Sequence, residues 1–230
     1  MDLRDNIRTV KERIENAAKR AGRHKDDIKL VAVTKGVEPE RMIEAVSAGI
    51  HTFGENYAQE FRLKKEIIDR TVSENVEWHF IGRLQRNKVK YVVGDVEMIH
   101  SLDSLTVARE IGKKAASLGI KAKVLIEVDT GEEERKGGVG KDEVEGFLKE
   151  LWEMPSVNVR GLMTMPPYFD DPESARPFFI ALRELRDKLS VEYPELRELS
   201  MGMSSDFEVA IEEGATLVRV GTAIFGPRQK

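Results

Sequence analysis

Apolar positions along the chain fall into two rhythms that alternate from one end to the other. Leu3, Ile7, Val10, Ile14, Ala17, Ala18 and Ala21 recur at steps of three and four, the spacing of one helix face, and Gly22 follows as a C-terminal cap. The next rhythm is different. Ile28-Lys29-Leu30-Val31-Ala32-Val33-Thr34-Lys35-Gly36 is a nearly unbroken apolar run bounded by glycine, the mark of a strand covered on both faces. Pro39 then opens a helical stretch over 40–48, closed by Gly49. Further short apolar or β-branched runs at 51–56, 78–82, 98–102, 123–129, 158–164, 198–201 and 217–221 bring the predicted strands to eight. Helical patterns separate them over 57–68, 85–93, 105–118, 141–152, 173–189 and 207–213.

Strand alternating with helix, with no run of strands alone, predicts parallel strands joined by helical crossovers. Eight such units leave no exposed edge when closed into a barrel, and 230 residues lie close to the roughly 250 usual for that fold. The expectation is an α/β, single-domain (β/α)8 TIM barrel over residues 1–230, with an additional N-terminal helix. No interdomain linker is visible. Residues 131–140 and 165–172, rich in Gly, Pro and Asp, read as long loops on the ligand face.

Composition narrows the partners. A net charge of −4 and a pI near 5.8 argue against a general nucleic-acid binder, which leaves a basic footprint. Cysteine is absent, so neither a disulfide framework nor a thiolate metal site is expected. The start lacks an apolar signal segment and no window of eighteen apolar residues occurs, which predicts a cytoplasmic protein without a membrane span. Charged residues make up 34% of the chain while Asn and Gln together number nine, a balance found in thermophilic chains.

Ligands of this fold bind at the carboxyl ends of the strands, where Lys35 ends the first one. A lysine there either serves the ligand or reaches out of the mouth into water. The last two strands lead into turns of the kind that hold anions: Met201-Gly202-Met203-Ser204-Ser205-Asp206-Phe207-Glu208 and Gly221-Thr222-Ala223-Ile224-Phe225-Gly226. Ser205 with Glu208 also fits a simple helix capping box, and a Gly-Thr turn is common, so each motif alone has a plain structural reading. Their conjunction in two adjacent loops is more specific. Arg219 stands two residues before Gly221 and shares its face, so it either enters the barrel interior, where it needs an acceptor, or pairs outward with a helix. Asn56 ends the second strand, as a turn residue or as part of the same mouth.

An amine, a phosphate cradle and a cationic donor are what a pyridoxal 5′-phosphate site requires. The segments Val33-Thr34-Lys35, Phe53-Gly54-Glu55-Asn56, Trp78-His79-Phe80-Ile81-Gly82-Arg83-Leu84-Gln85-Arg86-Asn87-Lys88, Gly161-Leu162-Met163-Thr164-Met165, Ser200-Met201-Gly202-Met203-Ser204-Ser205-Asp206 and Val218-Arg219-Val220-Gly221-Thr222-Ala223-Ile224-Phe225-Gly226 resemble those of the YggS/PROSC family, the pyridoxal phosphate homeostasis proteins. The match spans nearly the whole chain in order. The resemblance implies a monomeric or weakly associating barrel like the cofactor domain of fold-type III enzymes such as alanine racemase. It implies that Lys35 carries pyridoxal 5′-phosphate as an aldimine and that Arg219 faces the pyridine nitrogen. By the same resemblance Ser204, Ser205, Gly221 and Thr222 hold the phosphate, and Asn56 lies beside the ring. Residues 127–132 depart from the usual family text and are expected to stand apart from the cofactor.

An arginine at the ring nitrogen disfavours its protonation and weakens carbanion stabilisation, which argues for mild chemistry or none. A racemase also needs a second base, and of the four tyrosines only Tyr57 and Tyr168 lie near strand ends. The chain stops at Lys230, directly after the eighth predicted strand, so the extra domain that supplies this base in racemases is not expected. The function expected is therefore a non-catalytic protein that buffers or delivers pyridoxal phosphate, with PLP-dependent client enzymes as partners, and so maintains vitamin B6 and amino-acid homeostasis. Two alternatives stand beside it: a fold-type III amino-acid racemase or decarboxylase, and a barrel that clamps another phosphorylated metabolite with Lys35.

Other patterns carry less. Gly137-Gly138-Val139-Gly140-Lys141 lacks the leading glycine and the trailing hydroxyl of a P-loop. His24, His51, His79 and His100 show no ligand spacing, so no metal is expected. Arg83, Arg86, Lys88 and Lys90 form a basic cluster that reads as a solvated helix face or as a dock for an acidic partner.

Overall fold

The computed structural model describes residues 2–131 and 137–227. Eight parallel strands form the barrel: β1 (Lys29–Val33), β2 (Thr52–Glu55), β3 (Glu77–Phe80), β4 (Met98–Leu102), β5 (Ala122–Asp129), β7 (Val157–Met163), β8 (Glu198–Ser200) and β9 (Leu217–Val220). Each strand pairs with its neighbour, β9 returns to β1, and β4 pairs with β5, which closes the ring. A two-residue strand absent from the sequence prediction, β6 (Val139–Gly140), pairs with β5 through Val128 and Val139.

Strand alternation divides the apolar residues into two sets. Val31, Met98, Leu125, Met163 and Leu217 pack together inside the ring. A larger set, including Ala32, Phe53, Phe80, Leu162 and Val220, faces outward against the helices. The outer layer holds α2 (Pro39–Ser47), α3 (Ala58–Thr71), α4 (Leu105–Ser117), α5 (Val144–Trp152), α6 (Arg176–Ser190), α7 (Phe207–Glu212) and the short α8 (Thr222–Phe225). The helical pattern over 85–93 forms a 3₁₀ helix, Arg86–Tyr91, instead of an α-helix. Val89 and Val92 are both fully buried and stand three apart, the repeat of that tighter winding. Among the described residues no helix is long and apolar enough to cross a membrane.

The N-terminal helix α1 (Leu3–Arg20) buries Leu3, Ile7, Val10, Ile14, Ala17 and Ala18, the face its spacing marks out. It lies across α7 and α8, the helices that follow the two anion-type turns. Asn6 donates to the Ile224 carbonyl at 2.9 Å, and Arg23 Nη1 donates to the carbonyls of Ile211 at 2.9 Å and Ala215 at 2.8 Å. Arg13 pairs with Glu208 at 2.6 Å and Arg20 with Glu212 at 2.7 Å. The predicted capping box is therefore not formed. Glu208 is turned outward to Arg13, and the residue before α7 is Asp206, whose Oδ1 accepts the Met203 N–H at 2.6 Å.

The turn after β8 depends on one glycine. Gly202 has φ +90°, and a Cβ there would stand 2.6 Å from the Ala210 Cβ and 2.8 Å from the Phe207 Cα. Left-handed backbone and contact with the next helix both forbid a side chain. Gly202→Ala is expected to lower the unfolding free energy by about 2 kcal/mol or more, seen as a melting temperature depressed by several degrees.

Candidate cofactor site at the barrel mouth

The side chain that organises the mouth is Arg219. Its partner in the sheet register is Val31, an interior residue, so the guanidinium enters the barrel and only 5% of the residue is exposed. Nη1 donates to Ser200 Oγ at 2.5 Å and Nη2 to the Thr164 carbonyl at 2.8 Å. Burial pushes the Arg219 pKa down to about 10 against the opposing charges of Glu127 and Asp206, leaving it a cation at neutral pH. The same residue lines a cavity of about 240 Å³ with Asn56, Gly82, Glu127, Asp129 and Met163, all at or beyond the carboxyl ends of strands.

Two observations characterise the wall of this cavity. Asn56 Oδ1 is buried on its wall with no protein donor. The approach of β2 and β3 behind it is so close that a Cβ on Gly82 would stand 2.3 Å from the Asn56 carbonyl oxygen. A side chain at 82 would displace Asn56 from the cavity wall.

Beside this cavity the two anion-type turns meet. Ser204 Oγ accepts the backbone N–H groups of Gly221 at 3.2 Å and Ala223 at 3.3 Å, so the loops after β8 and β9 share one hydroxyl. Ser205 and Thr222 are exposed on the same turns. Gly221 packs against β1, where its Cβ position would be 3.3 Å from the Val33 Cβ, two residues before Lys35. Lys35 is half-buried, and its Nζ lies 4.9 Å from the centroid of the Tyr57 ring. Tyr168 is 75% exposed and is not part of the cavity lining. The structure thus brings Arg219 and Asn56 to one cavity, joins Ser204 to Gly221, and sets Lys35 two residues beyond the strand against which that turn packs; Lys35, Ser204, Ser205, Gly221 and Thr222 are not part of the cavity lining itself.

The backbone on both sides of Lys35 is pinned by a buried ionic cluster. Glu55 accepts from Thr34 Oγ1 at 2.6 Å and from Lys64 Nζ at 2.9 Å. Lys64 also donates to the Thr34 carbonyl at 2.5 Å, and Glu60 accepts the Gly36 N–H at 2.6 Å. Burial pushes the Glu55 carboxyl up, and the Lys64 ammonium opposes that shift. The position of the amine is set by groups that never touch a ligand.

Several polar residues here escaped the sequence reading. Glu127 and Asp129 line the cavity beside Arg219, which corrects the expectation that residues 127–132 stand apart; Glu132 lies outside the described residues. The sequence signal was alternation, because Leu125 faces inward and residues 127 and 129 follow at steps of two. Burial raises the Glu127 carboxyl, aided by Asp103 and opposed by Arg219 and Arg83. Inside the ring His79 Nδ1 and His100 Nε2 are 2.6 Å apart, His100 Nδ1 meets Ser200 Oγ at 2.8 Å, and His79 Nε2 meets Glu77 Oε1 at 2.6 Å. Lys29 donates to the same Glu77 oxygen at 2.6 Å. Of the basic cluster, Arg83 lines the cavity and lies 3.5 Å from Asp103, Arg86 lies 3.5 Å from Glu110, and Lys90 stands over Tyr91.

A closed parallel barrel with a buried arginine and a hydroxyl-bridged pair of turns at its mouth is a (β/α)8 barrel of the fold-type III kind. Residues 2–229 match the family described as alanine racemase, N-terminal domain. A pyridoxal phosphate homeostasis protein of Aquifex aeolicus (strain VF5) is 50% identical over 230 residues, covering 100% of both chains. The structure of PipY from Synechococcus elongatus PCC7942 with PLP bound superposes with a TM-score of 0.81 at 32% identity, over 93% of this chain and 100% of that one. Alanine racemase from Corynebacterium glutamicum shares the fold, with a TM-score of 0.69 at 21% identity over 99% of this chain and 62% of its own. The chain belongs to the alanine racemase N-terminal domain family and, within it, to the pyridoxal phosphate homeostasis proteins.

Two outcomes test the supports of this site. Lys64→Met strands the Glu55 carboxylate and is expected to cost about 3 kcal/mol in chemical denaturation, most of it recovered in the Glu55→Gln/Lys64→Met double variant. The Glu77 carboxyl is held down to about 2, first by the His79 hydrogen bond. A depressed carboxyl adds stability above its unfolded pKa and loses it as pH falls toward the folded value. Wild type should therefore lose stability between about pH 4.5 and 2 more steeply than Glu77→Gln, measured by denaturation at each pH.

Proposed function

We propose that the protein binds pyridoxal 5′-phosphate at the barrel mouth and serves as a buffer or carrier of that cofactor, maintaining vitamin B6 and amino-acid homeostasis. The observation that carries this reading is Arg219: a buried cation aimed into a cavity whose wall also holds an unpartnered amide, Asn56. The cofactor supplies an aldehyde that condenses with a primary amine, releasing water, and Lys35 is the amine at this rim. Ser204, Ser205, Gly221 and Thr222 would take its phosphate through hydroxyls and backbone amides, and Asn56 would lie beside the ring.

The same site argues against strong catalysis. A fixed guanidinium opposite a ring nitrogen disfavours a proton there, and a ring without that proton is a poor electron sink. Tyr57 lies against Lys35 itself, on one side, whereas racemisation needs two bases on opposite faces. We read the protein as a monomer acting in the cytoplasm and handing its cofactor to PLP-dependent enzymes.

Wild type loaded with pyridoxal phosphate is expected to show a visible absorption band beyond that of the free aldehyde. Borohydride treatment should fix the cofactor to the peptide containing Lys35. Lys35→Ala should lose both signals, and neither protein should racemise or decarboxylate an amino-acid panel. A variant spectrum identical to wild type, or turnover of any amino acid at enzyme rates, overturns the proposal.

A further inference from the structure

Arg219 is the upper end of a hydrogen-bonded column that runs down the inside of the barrel, through Ser200, His100 and His79, to Glu77 and Lys29 at the amino-terminal end of the strands. The two imidazoles are almost fully buried, with His79 1% and His100 0% exposed, whereas the Lys29 and Glu77 side chains are 45% and 30% exposed. Interior positions of such barrels are ordinarily filled by branched apolar side chains. A polar column there is a departure that packing does not explain.

The direction of every bond in the column follows from its ends. A guanidinium only donates, so Ser200 Oγ accepts from Arg219. Among the described residues the only other partner of that hydroxyl is His100 Nδ1, which must accept the serine hydrogen. A neutral His100 then carries its proton on Nε2 and donates to His79 Nδ1, and His79 donates from Nε2 to Glu77. All hydrogens are used. One more proton on the histidine pair would reverse the upper bonds: His79 would donate both ways, His100 would donate from Nδ1 to Ser200, and the serine hydrogen would be left without an acceptor. Burial first, and the nearby charges of Arg219 and Lys29 with it, hold His100 well below the usual imidazole range, in keeping with the neutral form.

We propose that Glu77, His79, His100 and Ser200 form a single-polarity positioning chain, with both imidazoles protonated on Nε2, that orients the Arg219 guanidinium in the cavity from the opposite end of the barrel. Its consequence for cofactor binding rests on the function proposed above. The tautomers themselves are properties of the unloaded protein. The chain makes Glu77 a determinant of a site it never touches.

The test uses the full-length protein labelled with ¹⁵N, observed through two-bond imidazole correlations with and without pyridoxal phosphate. His79 and His100 are expected as Nε2–H tautomers, distinguished in the spectra from the exposed His24 and His51. Glu77→Ala removes the acceptor at the foot of the column and should raise the Kd for pyridoxal phosphate about fivefold to tenfold. Glu77→Gln, which keeps an accepting oxygen, should stay within about twofold and retain the wild-type tautomers. His100 protonated on Nδ1, or unchanged affinity in Glu77→Ala, overturns the proposal. If Glu77→Ala does not fold, the wild-type and Glu77→Gln tautomers decide. Nε2–H tautomers in a wild type that binds no pyridoxal phosphate would leave the column intact and refute the function and the positioning role together.

Discussion

A guanidinium inside a barrel is the constraint to which the rest of the structure answers. Arg219 is almost completely buried, and a cation in that setting must be met on every side or it would neutralise or expel itself. Ser200 and Thr164 meet it with neutral oxygens, while Glu127 and Asp206 oppose its charge at longer range. Arg219 also lines the cavity with Asn56, whose Oδ1 is buried without a protein partner. With neutral acceptors as its direct partners, the arginine is not half of a closed ion pair.

The amine is held by a different device. Lys35 stands beside a turn whose neighbours, Thr34 and Gly36, are fastened by Glu55, Glu60 and Lys64. The cation of that cluster, Lys64, is consumed by two carboxylates and a carbonyl and cannot serve a ligand. The two lysines near the mouth differ in their surroundings: Lys64 is a buried brace, and Lys35 is half-buried with its Nζ over the Tyr57 ring. Arg219 and Lys35 share the same sheet edge because β9 pairs with β1, so the ends of the chain close the ring at the site itself.

Much of this was legible in the sequence. The alternation of strand and helix gave the barrel, and the α1 face over Leu3 to Ala18 was readable from spacing alone, because both depend on local periodicity. Arg219 was legible as sharing a face with Gly221, but the choice between interior and outward needed its register with Val31. What escaped were relations between strands distant in sequence. His79 and His100 look like isolated core residues until β3 and β4 are laid side by side, and Ser200 lies 100 residues further on. The 3₁₀ winding over Arg86–Tyr91 was hidden for another reason: three- and four-residue spacings overlap in so short a segment. The capping-box alternative for Glu208 could not be discounted from the sequence because its actual partner, Arg13, lies 195 residues away.

The strapping of α1 over α7 and α8 also bears on the order in which the molecule can be completed during synthesis. Asn6 waits for Ile224, 218 positions later, and Arg23 waits for Ile211 and Ala215, 188 and 192 positions later. A nascent chain therefore emerges from the ribosome with its first helix unpartnered on that face, and the turns that join Ser204 to Gly221 cannot exist until the closing segment has been made. Whatever the mouth captures, it captures only once the segment through residue 225 has been made, so the order of synthesis itself delays the opening of the site.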